Sequence, residues 1–169
     1  HGNIRVGESE TFVTEACEYT NSFLSFFPKI SIILNIDADH LDFFKDIEDI
    51  RHSFRLFAQK LPKDGLLVIN SDIDRYEEIV DGLECRIVTC GKRTDSNYRA
   101  EDITYDHFAR AAFRLMIDGQ DAGEITLGVP GEHNVYNALA AIALCRDLGI
   151  DMEHIRAGLK KFTGTNRRL

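Results

Sequence analysis

A run of seven residues, ISIILNI at 30–36, constrains most strongly what this chain can fold into. It is almost entirely apolar and rich in β-branched side chains, which is typical of a strand buried on both faces of a parallel sheet. Two similar runs follow at 65–70 and 85–90, and amphipathic helical patterns over 47–61 and 75–81 separate the three. This alternation predicts an α/β fold with a doubly wound, mostly parallel sheet and helices on both faces.

The flanking segments predict smaller additions to this sheet. Residues 11–17 read as a short strand, whereas the polar stretch 92–102 reads as a loop. Beyond it, 111–117 and 122–129 flank Asp118-Gly119, which is a strong hairpin turn signal. We therefore expect a small antiparallel hairpin on the main sheet.

Two helices complete the predicted elements. The first spans Asn134 to Asp147, after Pro130-Gly131, and the second spans about 151–161. For the short helix over 75–81, Asp72 or Asp74 is the expected cap.

Composition excludes several classes of protein. The 169 residues carry 20 Lys and Arg against 28 Asp and Glu, a net charge of -8, which disfavours non-specific nucleic-acid binding. No apolar run approaches the ~20 residues that a membrane helix needs, so we expect no membrane partner, and we see no secretory signal. The four cysteines form no CxxC pair and are expected to be reduced. These features predict a cytoplasmic protein.

The densest polar feature follows the most apolar strand. Asp37, Asp39, His40 and Asp42 come directly after it, and ligands of open α/β sheets bind beyond the carboxyl ends of the strands. Three neighbouring carboxylates repel one another unless a cation lies among them, and imidazole and carboxylate are ordinary metal ligands. The alternative is a solvated turn in which Asp42 caps the next helix.

Two further groups of polar residues are candidates. Glu15 and Glu18 come at the end of the first predicted strand, where they could provide a metal ligand or a substrate contact. The alternative is that one faces solvent and the other caps a turn. Asn134 and Asn137 share one face of the long helix near its start, beside His133, and an amide can read the edge of an adenine. The alternative is that the asparagines cap the helix and that His133 lies in a loop.

Four segments, taken together, resemble a known family. EACEY (15–19), NIDADHLD (35–42), VPGEHNVYNALAA (129–141) and FTGTNRR (162–168), in this order and spacing, resemble the central ATPase domain of the Mur ligases. The resemblance covers nearly the whole chain. Within the family, SFL soon after EACEY points to the branch that joins L-alanine to UDP-N-acetylmuramate.

The resemblance implies a reaction, two cofactors and specific site residues. ATP would phosphorylate the lactyl carboxylate of UDP-N-acetylmuramate, and the amine of L-alanine would attack the acyl phosphate. By the same resemblance Glu15 and His40 match Mg ligands. The other matched residues bind the nucleotide: His133, Asn134 and Asn137 at the adenine, and Arg168 at the phosphates, with Arg167 a weaker candidate.

The sequence also departs from the family pattern. No GxGxxG or phosphate-binding GxxxxGK[ST] loop occurs, so we expect that loop upstream of residue 1, and the UDP-binding and alanine-binding domains outside the chain. Several family members have a carbamylated lysine near the position of Phe54 or Arg55, which the alanine-adding branch lacks. Residues 1–169 are therefore expected to be a central-domain fragment without activity alone. The competing interpretations are a non-catalytic nucleotide- or metal-binding module and a metal-dependent phosphohydrolase.

Overall fold

The structure, a computed structural model, describes residues 6–165 and contains one mixed sheet. Its strands lie in chain order, and those from the first to the fourth run parallel, whereas the last two pair antiparallel. The strands are β1 (Ile30–Ile33), β2 (Leu66–Asn70), β3 (Arg86–Gly91), β4 (Tyr98–Tyr105), β5 (Arg110–Ile117) and β6 (Gln120–Pro130).

Helices cover both faces of this sheet. A 3₁₀ segment (Tyr19–Ser25), α1 (Ile47–Gln59) and α2 (Tyr76–Val80) pack on one face, and α3 (His133–Asp147) and α4 (Met152–Lys161) pack on the other. The predicted α/β class, the helices on both faces and the antiparallel hairpin are thereby confirmed. None of the described helices is long and apolar enough to cross a membrane.

Strand β2 shows why continuous apolar runs occur in this sequence. All five of its residues are buried. Leu67 and Ile69 join the core under α1, whereas Leu66 and Val68 join the core under α3. Because alternate side chains enter two different cores, no position of this strand faces water.

The predicted strand at 11–17 is wrong. These residues have no strand pairing in the described part of the chain, and Phe12 and Val13 are 84% and 76% exposed. Strand propensity reflects how well side chains pack on a sheet surface, and it does not supply the neighbouring strand that must complete the hydrogen bonds.

The predicted loop at 92–102 is too long, because β4 begins within it at Tyr98. Ala100 of β4 is buried in the core under α3, while Arg99 and Glu101 pair with each other on the opposite face. The polar residues therefore belong to the outer face of a strand. Tyr98, the first residue of β4, pairs with Cys90 near the end of β3. The loop between β3 and β4 can therefore be short, because it only has to reach the neighbouring position in the sheet.

The expected cap of α2 is also wrong. The residue before α2 is Arg75, in the left-handed region at φ 53°, and it makes no capping hydrogen bond with its side chain. Asp74 instead accepts hydrogen bonds from Arg51 of α1, through its carbonyl and its carboxylate. The carboxylate of Asp72 instead accepts a hydrogen bond from the residue after β3, as described below.

Candidate functional site

His40 is the centre of the polar group beyond the end of β1. Its Nε2 lies 3.5 Å from Oε1 of Glu18, and its ring lies 4.6 Å from the ring of Tyr19, centroid to centroid. The hydroxyl of Tyr19 donates a hydrogen bond of 2.8 Å to Asp42 Oδ2, and that carboxylate raises the pKa of the tyrosine. The 15–19 and 35–42 motifs are thus brought into contact through Glu18, Tyr19, His40 and Asp42.

The backbone around His40 is tightly specified. His40 has φ +54°, in the left-handed region that residues other than glycine seldom occupy. Its carbonyl accepts hydrogen bonds from the backbone N–H groups of Phe43 and Phe44, and Phe44 is buried in the core under α1. Such strained positions persist only where the surroundings determine them, and they are common at functional sites.

The alternative role for Asp42 as a helix cap is wrong. The side chain of Asp46 caps α1 by accepting from the N–H of Asp49 at 3.0 Å. Asp42 is therefore free of that role and instead orients Tyr19.

The side chains beyond β1 fit a divalent cation that takes one or two ligands from the protein and the rest from water and substrate. Within the described residues no group of three or more His, Cys, Asp or Glu side chains is placed to hold a metal. His40 and Glu18 offer one nitrogen and one carboxylate. Mg²⁺ usually takes one or two protein ligands and completes its shell with water and substrate phosphates. Glu15 lies in the exposed segment three residues before Glu18, and its role stays a prediction.

The first turn of α3 holds the predicted asparagines together. Asn134 Nδ2 donates to the carbonyl of Pro130 at 2.7 Å, and Asn134 Oδ1 accepts from Asn137 Nδ2 at 2.9 Å. His133 is the first residue of the helix and lies 3.2 Å from Asn134 Nδ2 through its Nε2. The alternative that the asparagines cap the helix and that His133 lies in a loop is wrong, because α3 begins at His133 and Glu132 precedes it. The amide of Asn134 orients that of Asn137, whose Oδ1 and second N–H have no partner among the described residues.

Gly131 makes the sharp entry into α3 possible. Its φ of +103° is a conformation that side-chain-bearing residues rarely adopt, and a Cβ there would lie 2.7 Å from the His133 ring. Any other residue would therefore displace the histidine or the turn.

A line of hydrogen bonds runs along the carboxyl edge from the segment after β1 to the start of α3. Asn70 donates to the carbonyl of Leu34 at 3.1 Å and accepts from the N–H of Asp72 at 2.9 Å. Asp72 Oδ2 in turn accepts from the N–H of Lys92 at 2.9 Å, and the ammonium of Lys92 pairs with Glu132. The edge is thus connected from the end of β1 to the start of α3.

Sequence reasoning missed several members of this edge. Tyr19, Asn70 and Lys92 were not candidates, although Asn70 ends β2 and Lys92 follows β3. Arg167 and Arg168 lie outside the described residues.

Comparison with known proteins places this geometry in a family. Residues 3–145 match the family model of the Mur ligase middle domain. The chain belongs to the Mur ligase family.

Curated Mur ligase relatives are similar over almost the whole chain. It is 61% identical over 168 residues to the UDP-N-acetylmuramate–L-alanine ligase of Lachnospira eligens and 50% identical over 167 residues to that of Caldanaerobacter subterraneus. Each alignment covers 99% of this chain but only 37% or 36% of the relative. The chain therefore spans little more than a third of the curated relatives that it matches.

Solved Mur ligase structures share the fold. The UDP-N-acetylmuramate–alanine ligase of Thermotoga maritima superposes with a TM-score of 0.71 at 30% identity, over 88% of this chain and 32% of that one. MurF of Acinetobacter baumannii superposes with a TM-score of 0.76 at 27% identity, over the same shares of the two chains.

Proposed function

We propose that this chain is the nucleotide-binding part of an ATP-dependent ligase that joins L-alanine to UDP-N-acetylmuramate in peptidoglycan precursor synthesis. The observation that carries the proposal is that a His40–Glu18 group follows β1 and the Asn134–Asn137 pair lies in the first turn of α3, with hydrogen bonds running between Leu34 and Glu132 along the same edge. The names of the curated relatives support the substrates.

In the proposed reaction the carboxylate of UDP-N-acetylmuramate attacks the γ-phosphorus of ATP, and ADP leaves. The amine of L-alanine then attacks the acyl carbon, and the amide forms as inorganic phosphate departs and the amine loses its proton. Carboxylate, triphosphate and acyl phosphate are all anionic, so such a step depends on positioning and charge neutralisation.

His40, with Glu15 or Glu18, would hold Mg²⁺, which supplies charge neutralisation of the triphosphate when it is bound. For this task His40 must present a neutral imidazole nitrogen. Contact with the tilted ring of Tyr19 positions the imidazole, and the Tyr19–Asp42 hydrogen bond holds Tyr19 in turn.

Asn137 would read the adenine. Its Oδ1 and remaining N–H match the N6 amino group and N7 acceptor of adenine, which an asparagine can contact with two hydrogen bonds. Guanine presents an acceptor where adenine presents the amino donor, so the same amide would favour ATP over GTP.

We further propose that residues 1–169 belong to a central domain completed by segments outside this chain. In the described residues the outer edge of β1 pairs with no strand, and the chain spans little more than a third of the curated relatives that it matches. A strand from outside the chain that added to this edge would extend the parallel sheet. Arg168 remains the candidate for the nucleotide phosphates.

The first experiment tests adenine reading in the full-length ligase. Asn137→Ala should raise KM for ATP about 5- to 150-fold, since an unmade hydrogen bond to a buried group costs ~1–3 kcal/mol, and should lower the preference for ATP over GTP. KM for L-alanine should change little. Gln59→Ala, an exposed amide at the end of α1, is the matched control. An unchanged KM for ATP in Asn137→Ala would remove adenine reading from this residue.

The second experiment tests the metal role of His40. His40→Ala should shift the Mg²⁺ midpoint of activity upward by at least ~10-fold, and added Mg²⁺ should restore part of the activity. A general base at this position would instead leave the Mg²⁺ midpoint unchanged and alter the pH–rate profile. Identical Mg²⁺ midpoints in wild type and variant would exclude His40 as a ligand.

The same assays discriminate the competing functions. A ligase releases phosphate only with both L-alanine and UDP-N-acetylmuramate present. A phosphohydrolase built on the acidic segment would release phosphate without them and would tolerate Asn137→Ala. A binding module would release none.

A further inference from the structure

We propose that Lys92 is a positioning residue that fixes the adenine-reading turn of α3 against the sheet. The inference rests on the proposed function and extends it to a residue outside every motif that carried the family resemblance. Lys92 lies directly after β3, at the centre of the carboxyl edge.

The contacts of Lys92 join three elements. Its backbone N–H donates to Asp72 Oδ2 at 2.9 Å, which ties it to the turn after β2. Its ammonium pairs with Glu132, the residue before α3, and lies 5.2 Å from the ring centroid of Tyr136 in the first turn of that helix. These contacts raise the pKa of the lysine, chiefly through Glu132, so the ammonium stays charged.

The start of α3 needs such a tie because its own cap is weak. Glu132 makes no capping hydrogen bond with its side chain, and Gly131 before it adopts φ +103°. Among the described residues, the side chain of Asn134 hydrogen-bonds to the carbonyl of Pro130 at the end of β6, to His133 and to Asn137. Lys92 and its neighbours therefore connect this turn to β2 and β3.

Exposed ion pairs usually contribute little, and Lys92 is held by more than its pair with Glu132. The side chain of Lys92 is 38% exposed, its backbone is fixed by Asp72, and its ammonium has both a carboxylate and an aromatic face as partners. Lys63–Glu84 is an ion pair of the same type whose side chains are 82% and 61% exposed. It provides a matched pair remote from this edge.

The test uses the full-length ligase. Lys92→Met and the milder Glu132→Gln should each raise KM for ATP about 3- to 30-fold, because small misplacements of a binding group are costly. KM for L-alanine should not change, and binding of a fluorescent ATP analogue should weaken by the same factor as KM rises. Lys63→Met should leave all three values at wild-type levels.

A charge exchange separates positioning from direct contact with the nucleotide. Lys92→Glu and Glu132→Lys should each weaken ATP binding, and the double variant should recover most of it. If the double variant binds ATP no better than Lys92→Glu, or if Lys92→Met and Glu132→Gln match Lys63→Met, the proposal is overturned.

Asn137→Ala is measured in parallel. If it leaves KM for ATP unchanged, the proposed function fails at the adenine. If it raises KM while the Lys92 and Glu132 variants do not, only the positioning role fails.

Discussion

At the scale of single residues, Asn70 shows how a buried amide can hold two loops together. It is 8% exposed, and both ends of its side chain are used, one by the carbonyl of Leu34 and the other by the N–H of Asp72. An amide is suited to this position because it carries a donor and an acceptor on one planar group.

We predict that Asn70→Ala lowers the free energy of unfolding by ~1–3 kcal/mol, since it leaves two partly buried backbone groups without partners. Denaturant unfolding of the 169-residue chain measures the change. Asn70→Asp keeps the acceptor for Asp72 but loses the donor to Leu34, so its free energy of unfolding should lie between those of Asn70→Ala and wild type. If charge repulsion with Asp72 dominates, its free energy of unfolding should be lower than both. Wild-type stability of Asn70→Ala would show that water replaces both hydrogen bonds.

The properties of the cysteine thiols likewise depend on how deeply each one is buried. Burial raises the pKa of Cys90 to about 12, with a smaller contribution from Asp72, whereas Cys17 is exposed. The expectation of reduced cysteines agrees with four free thiols, but only Cys85 and Cys90 are buried as small apolar residues.

At the scale of elements, α4 has an N-terminus stabilised by a side chain. Asp151 accepts from the backbone N–H of His154 at 3.0 Å, and its Oδ2 lies 2.8 Å from the Nδ1 of the same histidine. The hydrogen bond and charge of Asp151 raise the pKa of His154, and His154 lowers that of Asp151.

We predict a pH-dependent contribution to folding from this pair. Because the folded pKa of His154 is raised, its stabilisation is complete below the unfolded value of about 6.5 and is lost as pH rises through the folded value. NMR titration of the His154 ring should give a pKa above 6.5 in wild type and a lower one in Asp151→Asn. Equal values in the two proteins would contradict the assignment. Asp151→Ala should also lower the stability of the chain through loss of the cap, which denaturant unfolding measures.

How much of each element could be predicted depends on where its information lies. The strand at 65–70 was predictable because its own residues are apolar on both faces. The strand over Tyr98–Tyr105 was obscured by its polar residues Arg99 and Glu101, and Glu101 meets its partner Arg114 only once β5 lies beside β4. Residues 11–17 have a strand-like sequence, but a strand also needs a neighbouring strand to pair with. The local sequence cannot specify that neighbour.

The residues of the candidate site also divide into those that a sequence motif indicates and those that it does not. His40 and Asn137 were found because they belong to motifs with fixed spacing. The Lys92–Glu132 pair joins residues 40 positions apart, and no periodicity links them. Such contacts depend on how the sheet and α3 pack, so the sequence alone gave no signal for them.

At the scale of the whole molecule, charge limits what this chain can do by itself. The net charge is -8, and the described carboxyl edge has several carboxylates, including Glu18, Asp42 and Asp72. Lys92, a cation at this edge, is already paired with Glu132, and the neighbouring Arg93 is paired with Glu77 and Asp95. An ATP triphosphate placed here would therefore meet repulsion that neutralising groups from elsewhere must offset.

We predict that the 169-residue chain alone folds, binds Mg²⁺–ATP at least ~10-fold more weakly than the full-length ligase, and releases no phosphate with L-alanine and UDP-N-acetylmuramate. Isothermal titration calorimetry and a phosphate-release assay measure the two properties. Weak binding that Asn137→Ala abolishes would place the residual affinity at the start of α3, where Asn137 and Asn134 hydrogen-bond to each other. Full affinity or alanine-dependent turnover by the isolated chain would mean that the neutralising groups lie within these 169 residues.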